Sequence, residues 1–264
     1  MKLLKALNKV FWLISQPEIY IISYPKTGRT WLRVLIGKTL SDMNRLPEEK
    51  ILQTEFMTKA SGLPRVTLTH DGSAMIKHKH YTELSSDKKK YRNKKVLLLG
   101  RDIKDTLVSA YFQATKRINV FDGTISEFIR NERYGAIKII TFYTQWYENR
   151  NVPQDFLFVS YEDMSADTGK VLDRVLKFLG ASHITDGHIR EAVNYSSFEK
   201  LKKAEQENRF NSGMLSPGKT EDPESFKIRK GKVGNYNEYL PSDDIEYIDA
   251  LLTKSGFDFS KFQT

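Results

Sequence analysis

The sequence contains 264 residues, of which 39% are hydrophobic and 28% charged, and its formal net charge is +9 at pH 7. This composition is typical of a globular chain with a substantial core, and no stretch approaches the roughly 20 apolar residues that span a bilayer. The absence of cysteine excludes disulfides, thiolate metal sites and cysteine catalysis. It suits a reducing cytoplasm, where we expect the protein to reside.

The amino-terminal stretch 1–16 predicts an amphipathic helix. Its apolar residues fall on one helical face, namely Leu3, Leu7, Val10, Phe11 and Ile14. Polar residues interrupt the run and no small-x-small cleavage site follows, so we do not interpret it as a signal peptide. We expect the apolar face to pack on the domain, and peripheral membrane contact is the alternative.

The next stretch predicts a strand, a tight turn and a helix. Residues 19–22 are apolar and β-prone, and after the turn YPKTGRTWL (24–32) apolar residues recur at helical spacing through Leu40. Such a turn directs backbone N–H groups and the positive end of a helix towards one point, which predicts an anion site. The turn supplies a point charge, two hydroxyls, a glycine and a guanidinium fork: Lys26, Thr27, Gly28, Arg29 and Thr30.

Further strands and helices alternate along the chain. Strands are predicted at 65–70, 95–99 and 156–160, and helices at 102–116, 137–147, 168–179 and 242–254. Residues 41–61 predict short helices or a lid-like connection, and 207–227 predict a mobile loop or gate. The order predicts an α/β fold in one domain spanning 1–264, a parallel sheet with helices on both faces.

Three polar side chains lie at, or just after, the carboxyl ends of predicted strands. They are His70, Arg101 and Tyr161. Because ligands bind at the carboxyl ends of parallel strands, we expect these residues to converge with the first turn on one rim.

A basic run at 87–95 contains Lys or Arg at six of its nine positions. Only Tyr91 adds an aromatic side chain, whereas nucleic-acid surfaces interleave more of them. We therefore expect a solvated loop and no nucleic-acid partner. The alternative is a non-catalytic basic module that binds nucleic acid or acidic lipid.

The motif P-K-[ST]-G-x-T-W at 25–31 differs from the nucleotide loop G-x-x-x-x-G-K-[ST], because its lysine precedes the glycine instead of following the second one, and the Mg²⁺-binding hydroxyl is not in the usual place. This disfavours a nucleotide-dependent kinase, the second enzymatic interpretation. The motif resembles instead the 5′-phosphosulfate loop of sulfotransferases that use 3′-phosphoadenosine 5′-phosphosulfate (PAPS). Segments 100–112, 160–164, 196–203 and 226–236 resemble further segments of that family in the same order.

The resemblance implies a P-loop-like sulfotransferase fold and roles for individual residues. Arg101 and Ser109 would hold the 3′-phosphate, and Tyr161 would help to bind the nucleotide. Trp31, Ser196 and Phe198 would surround the adenine.

The stretch FKIRKGKVGNY at 226–236 resembles the family box that closes over the 3′-phosphate. The matched residues are Arg229, Lys230 and Gly231, which offer a fork, a point charge and an amide. Residues 235–237 read Asn-Tyr-Asn where the family has Asp-Trp-Lys, which puts the docking of the following helix in doubt.

The resemblance implies transfer of a sulfuryl group from PAPS to a hydroxyl or amine, without a metal. Lys26 would stabilise the leaving phosphate, and His70, at the end of P-R-x-x-x-T-H (64–70), would be the base. The family lysine two residues earlier is Leu68 here, and His78 or His80 is the alternative base. The acceptor, a small molecule, carbohydrate or lipid headgroup, and the oligomeric state are left open.

Overall fold

Four parallel strands form the central sheet of the computed structural model, which describes residues 18–262. The strands are β1 (Ile19–Ser23), β2 (Val66–Thr69), β3 (Lys95–Gly100) and β4 (Asp155–Ser160). Their order is β2-β1-β3-β4, and Ile22 lies opposite both Thr69 and Leu98. The amino-terminal stretch 1–16 lies outside the described residues.

As predicted, helices separate the strands, except that only 3₁₀ turns lie between β2 and β3. The helices are α1 (Arg29–Asn44), α2 (Thr54–Ala60), α3 (Ile103–Phe112), α4 (Ile125–Arg130), α5 (Ala136–Glu148), α6 (Tyr161–Ala166), α7 (Thr168–Phe178), α8 (Asp186–Tyr195), α9 (Phe198–Gln206) and α10 (Ser242–Ser255). Within the described residues, no helix combines the length and apolar character needed to cross a membrane.

Helices bury both faces of the sheet. Each strand contributes to both layers, because successive side chains point to opposite sides. Val96 and Leu98 of β3 pack with α3, α4, α5 and α10, whereas Leu97 and Leu99 pack with α1, α2, α6, α7 and α8. The predicted fold class is therefore confirmed. A third, smaller apolar cluster joins α9 to residues 34, 51, 52, 210 and 215.

The regions predicted with least detail contain short turns. The connection 41–61 holds a 3₁₀ turn (Glu48–Lys50) and α2. Residues 207–227 are irregular apart from two 3₁₀ turns, and their mobility stays a prediction. The helix predicted through Lys116 changes at Gln113 into a π-helical segment that ends at Arg117.

The basic run at 87–95 is partly internal. Lys88 is 2% exposed and its Nζ lies 2.6 Å from Asp71, which also pairs with Lys90 at 2.8 Å. Lys95 pairs with Asp155 at 3.0 Å. The run is therefore only in part the solvated loop expected from the sequence, because Lys88 is buried.

Candidate active site

The predicted site residues line one cavity of about 350 Å³ at the carboxyl ends of the strands. Every one of them except Thr27 contributes to its lining: Lys26, Gly28, Arg29, Thr30, Trp31, His70, Arg101, Ser109, Tyr161, Ser196, Phe198, Arg229, Lys230 and Gly231. The convergence expected from parallel strands is therefore observed.

The turn between β1 and α1 is held in a conformation that favours glycine. Gly28 has φ 89°, and a Cβ there would lie 2.7 Å from the ring of Tyr161. Lys26 also has a positive φ, 74°. Thr27 is fully buried, and its hydroxyl donates to the carbonyl of Tyr24 at 3.0 Å, so its side chain fixes the turn rather than facing the cavity.

Lys26 extends into a strongly positive environment. Its Nζ donates to Oε1 of Gln113 at 3.2 Å. Burial, followed by the charges of Lys227, Arg117 and Arg101, lowers its pKa well below the usual value, although Glu205 opposes this. An anion bound here would favour the charged form of Lys26.

Arg101 connects three segments that are distant in the sequence. Nη1 donates to the hydroxyl of Ser109 at 3.2 Å and to the carbonyl of Lys26 at 3.3 Å, and Nη2 donates to the carbonyl of Lys232 at 3.3 Å. Its guanidinium stacks on the ring of Tyr161 at 4.3 Å. The first turn, α3 and the 229–232 segment thereby meet at one side chain.

Arg229 lies between two aromatic rings and is fixed by two hydrogen bonds. Its guanidinium is 4.7 Å from the ring centre of Phe112 and 4.9 Å from that of Tyr239. Nη1 donates to Glu224 at 2.9 Å and to the hydroxyl of Tyr239 at 2.8 Å. Lys230 pairs with Glu238 at 2.8 Å.

The segment after Lys230 docks on α3 through a carboxylate. Asp105, which is fully buried, accepts hydrogen bonds from the amides of Gly234 at 2.7 Å and Tyr236 at 3.0 Å. The ring of Tyr236 packs against the adjacent core and lies 5.3 Å from Nζ of Lys104. Residues 234–236 therefore dock on α3, although 235–237 depart from the family's Asp-Trp-Lys.

Aromatic side chains form one wall of the cavity. Trp31 and Tyr161 meet edge to face, with ring centres 5.5 Å apart. Gly231 has φ 67°, and a Cβ there would lie 2.3 Å from the ring of Phe198. The hydroxyl of Ser196, a buried residue, donates to the carbonyl of Val193 at 3.3 Å.

Of the three candidate bases, only His70 lines the cavity. Its Nδ1 donates to the carbonyl of Ser23 at 2.8 Å, which fixes the tautomer and leaves the lone pair on Nε2. Burial and the adjacent charge of Arg29 lower its pKa to about 3. His78 binds the hydroxyl of Tyr134 at 2.5 Å and His80 binds Glu132 at 2.8 Å.

The guanidinium of Arg29 donates a hydrogen bond to the lone pair on Nε2 of His70. Its Nη2 lies 2.6 Å from Nε2, and because guanidinium is donor-only, the imidazole must accept. Burial and the nearby charge of Arg33 lower the pKa of Arg29 to about 10. In this arrangement His70 is a weak base.

Lys227 and Gln113 also line the cavity, although no motif in the sequence pointed to them. Lys227 donates from Nζ to the carbonyl of Met214 at 2.7 Å, and burial followed by the charge of Arg117 lowers its pKa to about 8. Two simple signals were available. Lys227 precedes Arg229 by two positions, and Gln113 follows Ser109 by one helical turn.

Glu205, also missed, anchors the segment that carries Lys227. It is fully buried on α9, and its carboxylate accepts the amides of Lys227 and Ile228, each at 2.7 Å. The guanidinium of Arg117 lies 3.3 Å from the same carboxylate. An acidic residue on the apolar stripe of α9, beside Leu201 and Ala204, was the signal in the sequence.

Comparison with known proteins identifies sulfotransferases as relatives of this chain. The family described as "Sulfotransferase domain" matches residues 16–258. Flavonol 3-sulfotransferase of Flaveria bidentis is 26% identical over 257 residues, which cover 89% of this chain and 80% of that protein. Amine sulfotransferase of Oryctolagus cuniculus is 24% identical over 270 residues, covering 98% and 86%.

Two solved structures share the fold. Retinol dehydratase in a complex with retinol and PAP has a TM-score of 0.64 and 18% identity, with 91% of this chain and 81% of that chain covered. A mouse sulfotransferase complexed with PAP has a TM-score of 0.64 and 21% identity, with 94% and 86% covered.

Proposed function

The chain belongs to the sulfotransferase domain family, and from that premise we propose that it transfers a sulfuryl group from PAPS to a hydroxyl or amine of an acceptor. The released product is adenosine 3′,5′-bisphosphate (PAP). The observation that carries the proposal is the position of Arg101, which hydrogen bonds to the first turn, to Ser109 and to the 229–232 segment. These are the segments assigned to the two phosphorylated ends of the donor.

The donor would lie across the cavity. Arg101, Ser109, Arg229, Lys230 and the amide of Gly231 would bind the 3′-phosphate. Arg229 pairs with Glu224, and Lys230 pairs with Glu238. On donor binding, each carboxylate would have to move away or share its cation with the 3′-phosphate. Trp31, Ser196 and Phe198 would contact the adenine, whose flat faces favour aromatic neighbours. Tyr161, which supports Arg101, would help to position the nucleotide.

The 5′-phosphosulfate would lie on the first turn. The leaving phosphate would face Lys26, Thr30 and the backbone amides of the loop. The shape of the loop depends on Thr27, Gly28 and Arg29. The acceptor oxygen attacks sulfur as the bond between sulfur and the phosphate oxygen breaks. Negative charge then gathers on that phosphate, beside the ammonium of Lys26.

His70 would take the acceptor proton on Nε2, because Nδ1 is already committed to Ser23. The cavity is also lined by Ala74, Met75, Ile76 and Ile118, which suit the carbon skeleton of a small-molecule acceptor. Relatives are named for flavonol and amine acceptors, and one from Danio rerio is named cytosolic. We place this chain in the cytoplasm on the same grounds.

Two variants test these roles. Lys26→Ala should lower kcat by about 100-fold or more, since one preorganised charge at the developing anion is lost. His70→Ala should abolish turnover of labelled sulfate from PAPS while PAP still raises the Tm, because His70 is assigned to the acceptor.

Lys177→Ala, whose side chain is 68% exposed, is the matched control and should behave as the wild type. A protein stabilised by ATP·Mg²⁺ or an oligonucleotide but not by PAP would exclude the proposed donor.

A further inference from the structure

Two arginines beside His70 lack acidic partners. Within residues 18–262, neither Arg29 nor Arg33 forms an ion pair with Asp or Glu, and both are largely buried. Arg33 follows Arg29 by one turn of α1, and its Nη1 contacts the sulfur of Met214. The carbonyl of Met214 accepts from Lys227, so two cations contact this loop residue, and the charges of Arg29 and Arg33 both lower the pKa of Lys227.

This charge exceeds what the donor would use. The 3′-phosphate has Arg101, Arg229 and Lys230, and the 5′-phosphosulfate has Lys26 and the loop amides. Arg29 instead contacts His70, the residue assigned to the acceptor. Buried cations without a counter-charge are costly, and a bound anion offsets that cost.

The contact between Arg29 and His70 also opposes catalysis. A guanidinium on the Nε2 lone pair blocks the atom that must receive the proton. A ligand group that binds the guanidinium more strongly would draw it away and free that atom.

We propose that Arg29, supported by Lys227 and Arg33, binds an anionic group of the acceptor, a carboxylate or a phosphate. Binding of that group withdraws the guanidinium from Nε2 of His70, which then accepts the proton of the attacking hydroxyl. The inference deepens the proposed function and depends on it. It makes Arg29 the residue that selects anionic over neutral acceptors.

Matched acceptors test the selection. 4-Hydroxyphenylacetate and 4-hydroxyphenylacetamide differ in one charge at a distance from the phenol. The wild type should favour the acid in kcat/KM by about 10- to 100-fold, the range of a charge-assisted hydrogen bond. 4-Hydroxyphenyl phosphate in the same series distinguishes phosphate from carboxylate, and preference for either anion over the amide supports the inference.

Arg29→Gln should remove this preference in a characteristic way. Turnover of the acid should fall, whereas turnover of the amide should rise, because Nε2 of His70 is no longer covered. Lys227→Gln should reduce the preference without raising turnover of the amide. Lys230→Gln removes a cation that is assigned to the 3′-phosphate. It should weaken binding of the donor and leave the preference for the acid over the amide unchanged.

Binding measurements separate the two proposals. If PAP fails to raise the Tm of the wild type, the proposed function fails. If PAP binds but the PAP-saturated protein is stabilised equally by the acid and the amide, only the role of Arg29 is overturned. Should Arg29→Gln disturb the loop and lose PAP binding, Lys227→Gln decides, since an unchanged preference in that variant overturns the inference.

Discussion

The surroundings of His70 strongly control the protonation of its imidazole. Burial first, and then the charge of Arg29, lower its pKa to about 3. A lowered histidine pKa means that the neutral form is favoured, so we expect His70 to stay uncharged between about pH 5 and pH 8. NMR of the ¹⁵N-labelled imidazole in the free protein measures this directly.

Arg29→Gln provides the comparison. Without the guanidinium, burial and the charges of Lys227 and Arg33 still oppose protonation, but the largest opposing charge is lost, so the pKa of His70 should rise. His80, which pairs with Glu132 away from the cavity, serves as the internal reference in both proteins. A midpoint for His70 near 6.5 in the wild type would contradict the buried, arginine-bound imidazole.

The sequence predicts which residues reach the cavity better than what they contact there. Lys26, Arg101 and His70 each follow a strand of a parallel sheet, and topology alone brings such positions to one edge. The bond between Arg29 and His70 joins residues 41 positions apart and depends on side-chain rotamers and local burial. No spacing rule encodes it, and Lys227 was missed for the same reason.

At the scale of elements, α9 acts as the support for the segment that carries Lys227. Glu205, which is fully buried, accepts two backbone amides and faces Arg117, whose side chain is 13% exposed. Glu205→Gln should lower the free energy of unfolding by about 3 kcal/mol, because Arg117 loses its buried counter-charge and one amide loses its acceptor. Denaturant unfolding measures the loss, and PAP should also stabilise this variant less.

Glu207→Gln is the matched control on the same stretch of chain. Glu207 is 51% exposed and lies 3.7 Å from Lys203, so its removal should cost less than about 1 kcal/mol. Equal losses in the two variants would show that Glu205 does not anchor the segment.

The π-helical segment Gln113–Arg117 is a feature that the sequence pattern does not predict. The helical pattern of residues 102–116 predicts continuous α-helix, and nothing in its spacing indicates a wider turn. Yet Gln113 contacts Lys26 and Arg117 contacts Glu205, and π-helical turns often occur at functional sites. The change of helix type is a consequence of tertiary contacts that a local pattern does not contain.

Across the whole molecule, the proposed donor would join the two ends of the fold. The first turn follows β1, whereas Arg229 and Lys230 lie more than 200 residues later, in a region with few regular hydrogen bonds. Arg117 holds that region through the carbonyls of Ser216 and Ser225. Glu205 also holds the amide of Lys227, and Leu215 is buried in the third apolar cluster, so the region is anchored at several points and its mobility stays a prediction.

PAP should consequently slow hydrogen exchange in residues 207–232. If local opening of this segment releases the nucleotide, protection should increase up to about 100-fold when PAP is about 100 times its Kd. The ends of α10, which do not line the cavity, should exchange at the same rate with and without PAP. Protection of residues 24–31 without protection of 207–232 would mean that the nucleotide binds only the first turn, and the assignment of Arg229 and Lys230 to its 3′-phosphate would be wrong.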